Sequence, residues 1–256
     1  MTAAFKPHKK SKMKKLLLLL IAAQSLATAG CTKKDYVAIN NPESSKSIVK
    51  GKVTYAHGTP IINQKVVIEN TTLYASYFFA TTNSNGEYSV PVPIGSWKAS
   101  VQIEKEFLGK KYKYDLHPDN PNSFAGADGA VRNFTWKISG EKPGGGFYGS
   151  PVAAYSDFLT FINMPDVELA LTPDGPLVNG TAGSVITKRL VDVGGGEYGI
   201  DDVPIGKYTI TAKNVVANQP LQIRIRNKGD YLNSVNATFN SDFLPDNLYH
   251  IVTEVK

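Results

Sequence analysis

The side chains that commonly carry out chemistry are few in this sequence, and their spacing fits none of the familiar catalytic motifs. Beyond the first thirty residues the histidines are His57, His117 and His250. None has a second histidine or a glutamate at the spacing that two ligands of one zinc ion require, and no Gly-x-Ser-x-Gly elbow of a serine hydrolase occurs. We therefore expect a protein that is not an enzyme and that uses neither a metal nor another cofactor.

Ligand binding by aromatic rings and amides is a second kind of chemistry that the sequence offers. Tyr112 and Tyr114 alternate along one segment, and the loop that follows contains Asn120 and Asn122. Aromatic faces stack on sugar rings and amides orient hydroxyl groups, so these four residues form the candidate ligand-binding set. Packing is the competing interpretation for the tyrosines, because alternate residues of a strand share one face of a sheet.

The loop Asp115 to Gly129 also gathers three carboxylates and two amides, the oxygen ligands that Ca²⁺ uses in proteins. Its spacing matches no known calcium loop, and its prolines and glycines are typical of turns. A solvated loop is therefore the favoured interpretation.

The amino-terminal segment is typical of a bacterial export signal. Its first thirty residues contain six lysines and no acid, and the apolar run Leu16 to Ala23 is shorter than the roughly 20 residues of a membrane span. The following Thr28-Ala29-Gly30-Cys31 resembles a lipobox, which predicts that Cys31 is acylated. The alternative is an ordinary cleavage site that leaves Cys31 as a free thiol. Met13 is a second candidate for the start of translation.

The charge of the remaining chain is balanced. Removing the six leader lysines leaves 28 − 6 = 22 basic residues against 22 acidic ones, so the body has no electrostatic surface for nucleic acid. The stretch Thr32 to Asp35 resembles the export signal of Bacteroidetes surface lipoproteins, and the polar segment after it has the composition of a flexible tether.

Beyond the tether, apolar residues recur with a period of two. One example is the segment Trp97 to Glu104, in which every second residue is apolar. No window sustains the 3.6-residue period of an amphipathic helix, and turn-forming Gly, Pro and Asn residues separate the strands. The sequence therefore predicts an all-β fold made of immunoglobulin-like or transthyretin-like sandwiches.

An internal repeat indicates how many sandwiches there are. The segment Gly86 to Ala99 matches Gly196 to Thr209 with one inserted residue, and both contain Gly-Glu-Tyr and Pro-Ile-Gly. Trp97 aligns with Tyr208, which predicts a shared packing residue. Two copies of one motif predict two sandwiches in tandem.

These motifs resemble those of the carboxypeptidase regulatory-like domain. The resemblance consists of a strand, an Asp/His-Gly-x-Pro turn, a second strand, then x-x-Gly-x-Tyr and Pro-x-Gly-x-Tyr/Trp. The turn is Gly58 to Ile61 in the first copy, and its expected counterpart is Asp174 to Leu177. The resemblance covers residues 48–104 well and 167–213 less well. It implies a transthyretin-like sandwich with an accessory role, in a superfamily that includes starch-binding domains.

The predicted organisation has five parts. They are a lipoprotein signal peptide (1–30), a flexible tether (31–47), a carboxypeptidase regulatory-like sandwich (48–140), a Gly-rich linker (141–147) and a second sandwich with a shorter copy of the motif (148–256).

The expected function is that of a non-catalytic binding module, held in the cell envelope by its lipid, most simply at the outer membrane. Carbohydrate is the candidate ligand. A structural or protein-interaction scaffold of the envelope is the alternative, and a hydrolase with an unrecognised site is the remote one. The expected partners are the membrane, through the lipid, and a glycan or an envelope protein.

Overall fold

Strands are the main regular elements of the computed structural model, which describes residues 47–241 and 247–256. Short 3₁₀ turns, including Gly126–Asp128 and Met164–Asp166, interrupt them. The all-β class predicted from the period of two is confirmed. Within the described ranges no helix is long and apolar enough to cross a membrane. The predicted signal peptide, Cys31 and the tether up to residue 46 lie outside the described residues.

The described chain before residue 141 forms the first half of the protein, with two sheets. One sheet has the order β4-β1-β8, with β9 also paired to β1, and the other has the order β3-β2-β5-β6, with β7 paired to β5. The strands are β1 (Ile48–Tyr55), β2 (Lys65–Asn70), β3 (Tyr77–Thr81), β4 (Glu87–Pro91), β5 (Ser96–Phe107), β6 (Lys110–Leu116), β7 (Phe124–Ala125), β8 (Ala130–Val131) and β9 (Phe134–Trp136).

The described chain after residue 149 forms the second half, again with two sheets. Their orders are β13-β14-β10-β20-β17-β18 and β12-β11-β15-β16, with β19 also paired to β15. The strands are β10 (Ser150–Ser156), β11 (Val167–Pro173), β12 (Ile186–Arg189), β13 (Val191–Gly194), β14 (Glu197–Val203), β15 (Lys207–Asn214), β16 (Gln219–Leu221), β17 (Ile223–Ile225), β18 (Lys228–Leu232), β19 (Val235–Thr238) and β20 (Ile251–Val255).

The two halves share a common core of strands, which confirms the tandem arrangement. In the first half β1 pairs antiparallel with β4 and parallel with β9, and in the second half β10 pairs in the same ways with β14 and β20. The order β3-β2-β5-β6 is likewise repeated as β12-β11-β15-β16. The two Gly-Glu-Tyr motifs begin β4 and β14, which are equivalent strands.

The aligned residues Trp97 and Tyr208 are equivalent in position and in bonding. Both are the second residue of a strand, and they are 2% and 1% exposed. The Trp97 Nε1–H donates to the Pro93 carbonyl oxygen (3.0 Å), and the Tyr208 hydroxyl donates to the Pro204 carbonyl oxygen (2.8 Å). Each ring is a packing residue of its half, as the alignment predicted. Each also donates to the carbonyl oxygen four residues earlier, which the alignment did not predict.

The upstream part of the alignment is wrong. The turn Gly58–Ile61 follows β1, whereas Asp174–Leu177 follows β11, the equivalent of β2. The second copy therefore begins at β10, with Ser150. Its first loop, residues 157–163, has no Gly-x-Pro motif, so the sequence offered no signal for the correct match.

Side chains alternate between core and surface along the strands, which explains the period of two. In β1, Val49 and Val53 are fully buried, and in β2, Val66 and Ile68 are fully buried. Burying such a side chain contributes about 1.5–3 kcal/mol relative to leaving it exposed.

The residue inserted in the second copy produces a β-bulge in β14. Val152 pairs with Ile200 while Ser150 pairs with Val203, so β14 has one extra residue opposite β10. Asp202 in this bulge has a φ of 62°, a left-handed conformation that Asp tolerates better than most residues.

The side chain of Asp202 fixes the Gly-rich segment between the halves. Its two carboxylate oxygens accept the Gly140 N–H at 2.9 and 2.8 Å, and Oδ1 also accepts the Gly149 N–H at 2.9 Å. Between these glycines, Glu141 and Phe147 form an isolated bridge. One carboxylate therefore holds both ends of a tight turn, which we call the Gly-rich turn (residues 140–149).

The halves also contact each other directly through aromatic residues. The Tyr112 hydroxyl donates to the Phe239 carbonyl oxygen (3.0 Å), and the Tyr112 ring lies 4.8 Å from the Tyr249 ring. The Lys113 N–H donates to the Tyr249 hydroxyl oxygen (2.7 Å). The described residues of both halves belong to one compact unit, Ser44–Lys256, and their buried side chains form one connected cluster.

Candidate functional site

A cleft of about 680 Å³ lies where the first half meets the second. Residues of β6 and β9 line one side, and residues of β10, β14 and the segment before β20 line the other, together with the Gly-rich turn. The side chains with polar groups that line it include Tyr114, Asp115, His117, Trp136, Lys137, Lys142, Tyr148, Glu197, Asp201, Asn247 and His250.

The first-half wall of the cleft is aromatic. Tyr114 on β6 and Trp136 on β9 meet edge to face, with ring centroids 5.4 Å apart. Tyr55 pairs with Trp136 in the β1–β9 register and packs against it at 5.6 Å, so the indole is held between two tyrosines. The Lys105 ammonium lies 5.0 Å from the centroid of the Trp136 ring, a cation–π distance.

Two polar atoms in this wall are buried without a hydrogen-bond partner among the described residues. They are the Tyr114 hydroxyl oxygen and the Trp136 indole nitrogen, and the Trp136 side chain is only 5% exposed. Burial raises the pKa of the Tyr114 hydroxyl above its ordinary value, so the hydroxyl keeps its proton as a donor. A buried donor without an acceptor costs about 1–3 kcal/mol.

Tyr148, in the Gly-rich turn, forms part of the cleft rim. Its ring meets the His117 imidazole edge to face at 6.2 Å, and the Lys137 ammonium lies 5.5 Å from its centroid. Partial burial lowers the pKa of the His117 imidazole, Lys142 lowers it further and Asp115 opposes the change. His117 is therefore neutral at physiological pH, with both a donor and an acceptor nitrogen.

The second-half wall is acidic. Glu197 and Asp201 lie four residues apart on β14, and Asp201 precedes the bulge residue Asp202. Burial raises the pKa of the Asp201 carboxyl; Lys188 opposes this and Asp202 reinforces it. Across the cleft, the Asn247 amide donates to the Asp115 carboxylate.

The chemistry that this arrangement supports is hydrogen bonding to a polar ligand. The side chains of His117, Lys137 and Lys142 offer donors, and the Glu197 and Asp201 carboxylates offer acceptors. In the described part of the chain no group of three His, Cys, Asp or Glu side chains is placed to hold a metal ion.

The structure supports the packing interpretation of the two tyrosines. Tyr112 is 2% exposed because the second half covers it through Phe239 and Tyr249, so its ring packs between the halves. Tyr114 lines the cleft, but its ring is half-buried against Trp136. Neither tyrosine can present an open face to a sugar.

The predicted amides lie apart from the cleft. Asn120 and Asn122 are exposed, and the Asn120 side-chain oxygen accepts the Asn122 N–H (3.0 Å) within the loop. The Asn122 carbonyl oxygen accepts a bond from Arg132 (3.0 Å). The chain thus uses part of these amides to stabilise a turn, and it does not bring them to Tyr114.

Sequence reasoning missed Trp136, Tyr148 and Asp201 as site residues. Trp136 alternates with Phe134 as a core strand does, and both are buried, so its unpartnered nitrogen has no sequence signal. Tyr148 directly follows the stretch that was predicted to be a Gly-rich linker, so it was not expected to line a site. The inserted residue after Ile200 was the one available sign that β14 differs locally from β4.

No protein-family model and no curated protein matches the sequence. Among solved structures, the chain is similar to the Bacillus anthracis TIE protein, with 13% identity and a TM-score of 0.32 over 82% of this chain and 33% of that one. This chain thus spans about a third of the TIE protein chain.

Two further solved structures are similar to this chain. A DUF3823 family protein from Bacteroides ovatus has 11% identity and a TM-score of 0.24, over 75% of this chain and 98% of that one. The major pilin from Streptococcus pyogenes has 12% identity and a TM-score of 0.23, over 82% and 97%. Such low similarity carries no argument about function, and membership of the carboxypeptidase regulatory-like family stays a prediction.

Proposed function

We propose that this protein is a non-catalytic binding module, anchored in the cell envelope by lipid on Cys31, and that it binds a glycan in the cleft between its halves. The observation that carries the proposal is the cleft itself, whose lining combines the Tyr148 ring with polar side chains such as those of His117, Glu197 and Asp201.

A glycan fits the chemistry of the two walls. Its hydroxyl and ring oxygens can accept from the His117 imidazole and from Lys137 or Lys142, and its hydroxyl hydrogens can bond to the carboxylates of Asp201 and Glu197. The Tyr148 ring on the rim offers an apolar surface for a sugar ring. The cleft is lined by both lysine and carboxylate side chains, so no single sign of charge dominates. The site therefore favours a neutral, hydroxyl-rich ligand over a strongly charged one.

The anchor and the absence of catalysis belong to the same proposal. The leader and the lipobox-like Thr28 to Cys31 support a lipoprotein. In the cleft, the acidic side chains serve as hydrogen-bond acceptors, and Asp115 is already engaged by Asn247. Binding without catalysis requires no chemical group beyond these donors and acceptors.

A glycan array with variants tests the proposal. Tyr148→Ala removes the rim ring and Asp201→Asn weakens the acceptor, so each is expected to weaken binding of an array glycan at least about tenfold, or about 1.4 kcal/mol. Tyr74→Ala is the matched control, since Tyr74 is 99% exposed and lies outside the cleft. Binding that survives both cleft substitutions, or that Tyr74→Ala abolishes, would contradict the assignment.

The edge strand β3 favours a second candidate, the protein-interaction scaffold. It lies at the end of its sheet, and Tyr77 and Phe79 on it stack at 6.2 Å while 42% and 55% exposed. An exposed edge strand can pair with an extended segment of another protein. If this candidate is correct, an envelope protein co-purifies with the wild type and with the cleft variant Tyr148→Ala. The edge-strand variant Phe79→Lys is expected to abolish that co-purification.

A further inference from the structure

Two neighbouring loops at one end of the first half expose large apolar side chains. Leu73 and Tyr74 are 63% and 99% exposed in the loop 71–76, and Ile94 is 88% exposed in the loop 92–95. The described chain also begins here, because the Ser47 carbonyl oxygen accepts the Val92 N–H (2.9 Å). We call these two loops, with Ser47, the tether end.

Hydrogen bonds hold the two loops in place and together. The Asn70 side-chain oxygen accepts the N–H groups of Thr72 (2.9 Å) and Leu73 (2.8 Å). The Thr71 N–H donates to the Ser96 carbonyl oxygen (2.9 Å) and the Thr71 hydroxyl donates to the Ser96 hydroxyl (2.7 Å). The apolar side chains are therefore displayed by ordered turns whose polar groups are bonded within the protein.

The composition of the tether end is typical of protein segments that lie at a membrane surface. The loops read Thr-Thr-Leu-Tyr-Ala-Ser and Val-Pro-Ile-Gly, without one charged residue in a chain that is 20% charged. Tyrosine is enriched where protein meets the headgroup region of a bilayer, because its ring is apolar and its hydroxyl is polar.

The position of the anchor indicates which surface covers the tether end. The proposed acylation site, Cys31, precedes Ser47 by 47 − 31 = 16 residues, which reach at most about 55 Å when fully extended. The chain enters the fold at Ser47, two residues before Val49, so a lipid on Cys31 would have its shortest connection to this end of the first half.

We propose that the tether end rests on the lipid surface, with Leu73, Tyr74 and Ile94 inserted at the headgroup level. This rests on the proposed lipid anchor. It orients the cleft away from the bilayer side of the first half, because β1 runs from Ile48 at the tether end to Tyr55 at the cleft wall.

A second apolar loop elsewhere provides an internal control. Phe158, Leu159 and Phe161 are 85%, 81% and 84% exposed in the loop after β10. β10 begins beside the Gly-rich turn and runs away from it, so this loop follows the end of β10 that is remote from that turn. It is more apolar than the tether end, yet the anchor position predicts that it stays in water.

The test uses the lipidated full chain in phosphatidylethanolamine and phosphatidylglycerol vesicles that contain a nitroxide lipid. Cys31 is the single cysteine, and acylation consumes its thiol, so Tyr74→Cys, Ile94→Cys and Phe158→Cys each provide one site for a fluorescent maleimide. We expect the nitroxide to quench the labels of Tyr74→Cys and Ile94→Cys at least about threefold more than that of Phe158→Cys.

The outcomes separate this inference from the proposed anchor. One label per molecule with equal quenching at all positions, or with more quenching at Phe158→Cys, overturns the membrane-facing tether end while the anchor stands. Two labels per molecule would show that Cys31 is not acylated, which overturns the anchor and the orientation that depends on it.

Discussion

Trp97 and Trp136 are both buried, at 2% and 5% exposure, and differ in the bonding of their indole nitrogens. Trp97 Nε1 donates to the Pro93 carbonyl oxygen at 3.0 Å, as its place in the repeat requires. Trp136 Nε1 has no such partner in the described chain and is buried, although the residue lines the cleft. Equivalent burial therefore goes with different bonding in the two tryptophans.

His117 makes the stability of the protein depend on pH. Burial lowers its pKa from the ordinary 6.5, so the folded state binds fewer protons than the unfolded chain below that pH. The contribution is fully present above pH 6.5 and is lost as the pH falls through the folded pKa. Melting temperatures from about pH 7.5 to 5 should therefore fall less steeply in His117→Gln than in the wild type.

His57→Gln is the control for the loss of an imidazole, since His57 lies in an exposed turn. If the melting temperatures of the wild type and His117→Gln fall equally with pH over this range, the assignment of a buried, neutral His117 is contradicted.

Among the strands, the sequence predicted those that the two copies share, but it did not predict the features in which the second copy differs from the first. The Gly-Glu-Tyr and Pro-Ile-Gly motifs identified equivalent strands, because turns and core positions impose the same residues in both copies. The burial of Tyr112 was not predictable, since it depends on Phe239 and Tyr249, more than a hundred residues away. The role of the Asp202 bulge likewise depends on backbone groups of Gly140 and Gly149.

Removing the Asp202 carboxylate should loosen the Gly-rich turn. Asp202→Ala removes acceptors from two backbone N–H groups and places an alanine at a φ of 62°, so we expect a loss of about 2–4 kcal/mol in the free energy of unfolding. Asp202→Gly removes the same bonds without the backbone strain and should lose less.

Limited proteolysis measures the local effect of these substitutions. Both variants should be cleaved between residues 140 and 149 faster than the wild type. Unchanged cleavage and stability would show that the carboxylate does not hold the turn.

At the scale of the whole molecule, the contacts of Tyr112 join two sandwiches with separate sheets. Both tryptophans lie in the first half, so their fluorescence reports its unfolding, whereas far-ultraviolet circular dichroism reports both halves. We expect the two signals to give one transition in the wild type, because the halves share a connected core.

Tyr112→Ala should separate the two transitions, with the fluorescence transition at lower denaturant concentration. Removing a buried aromatic ring costs about 3–5 kcal/mol, and here it also removes the bond to Phe239. Transitions that are already separate in the wild type would show that the contact does not couple the halves.

The proposal that a glycan occupies the cleft beside Trp136 is tested most directly by the indole N–H signals of the two tryptophans. In ¹⁵N-resolved NMR spectra of the whole protein, titration with malto-, xylo- and peptidoglycan-derived oligosaccharides is followed at both signals. We predict that the Trp136 signal shifts on binding, because Trp136 lines the cleft, while the signal of Trp97, which donates to Pro93 outside the cleft, stays in place. A bound oligosaccharide that leaves the Trp136 signal unmoved, or no response to any oligosaccharide of the panel, would contradict the claim.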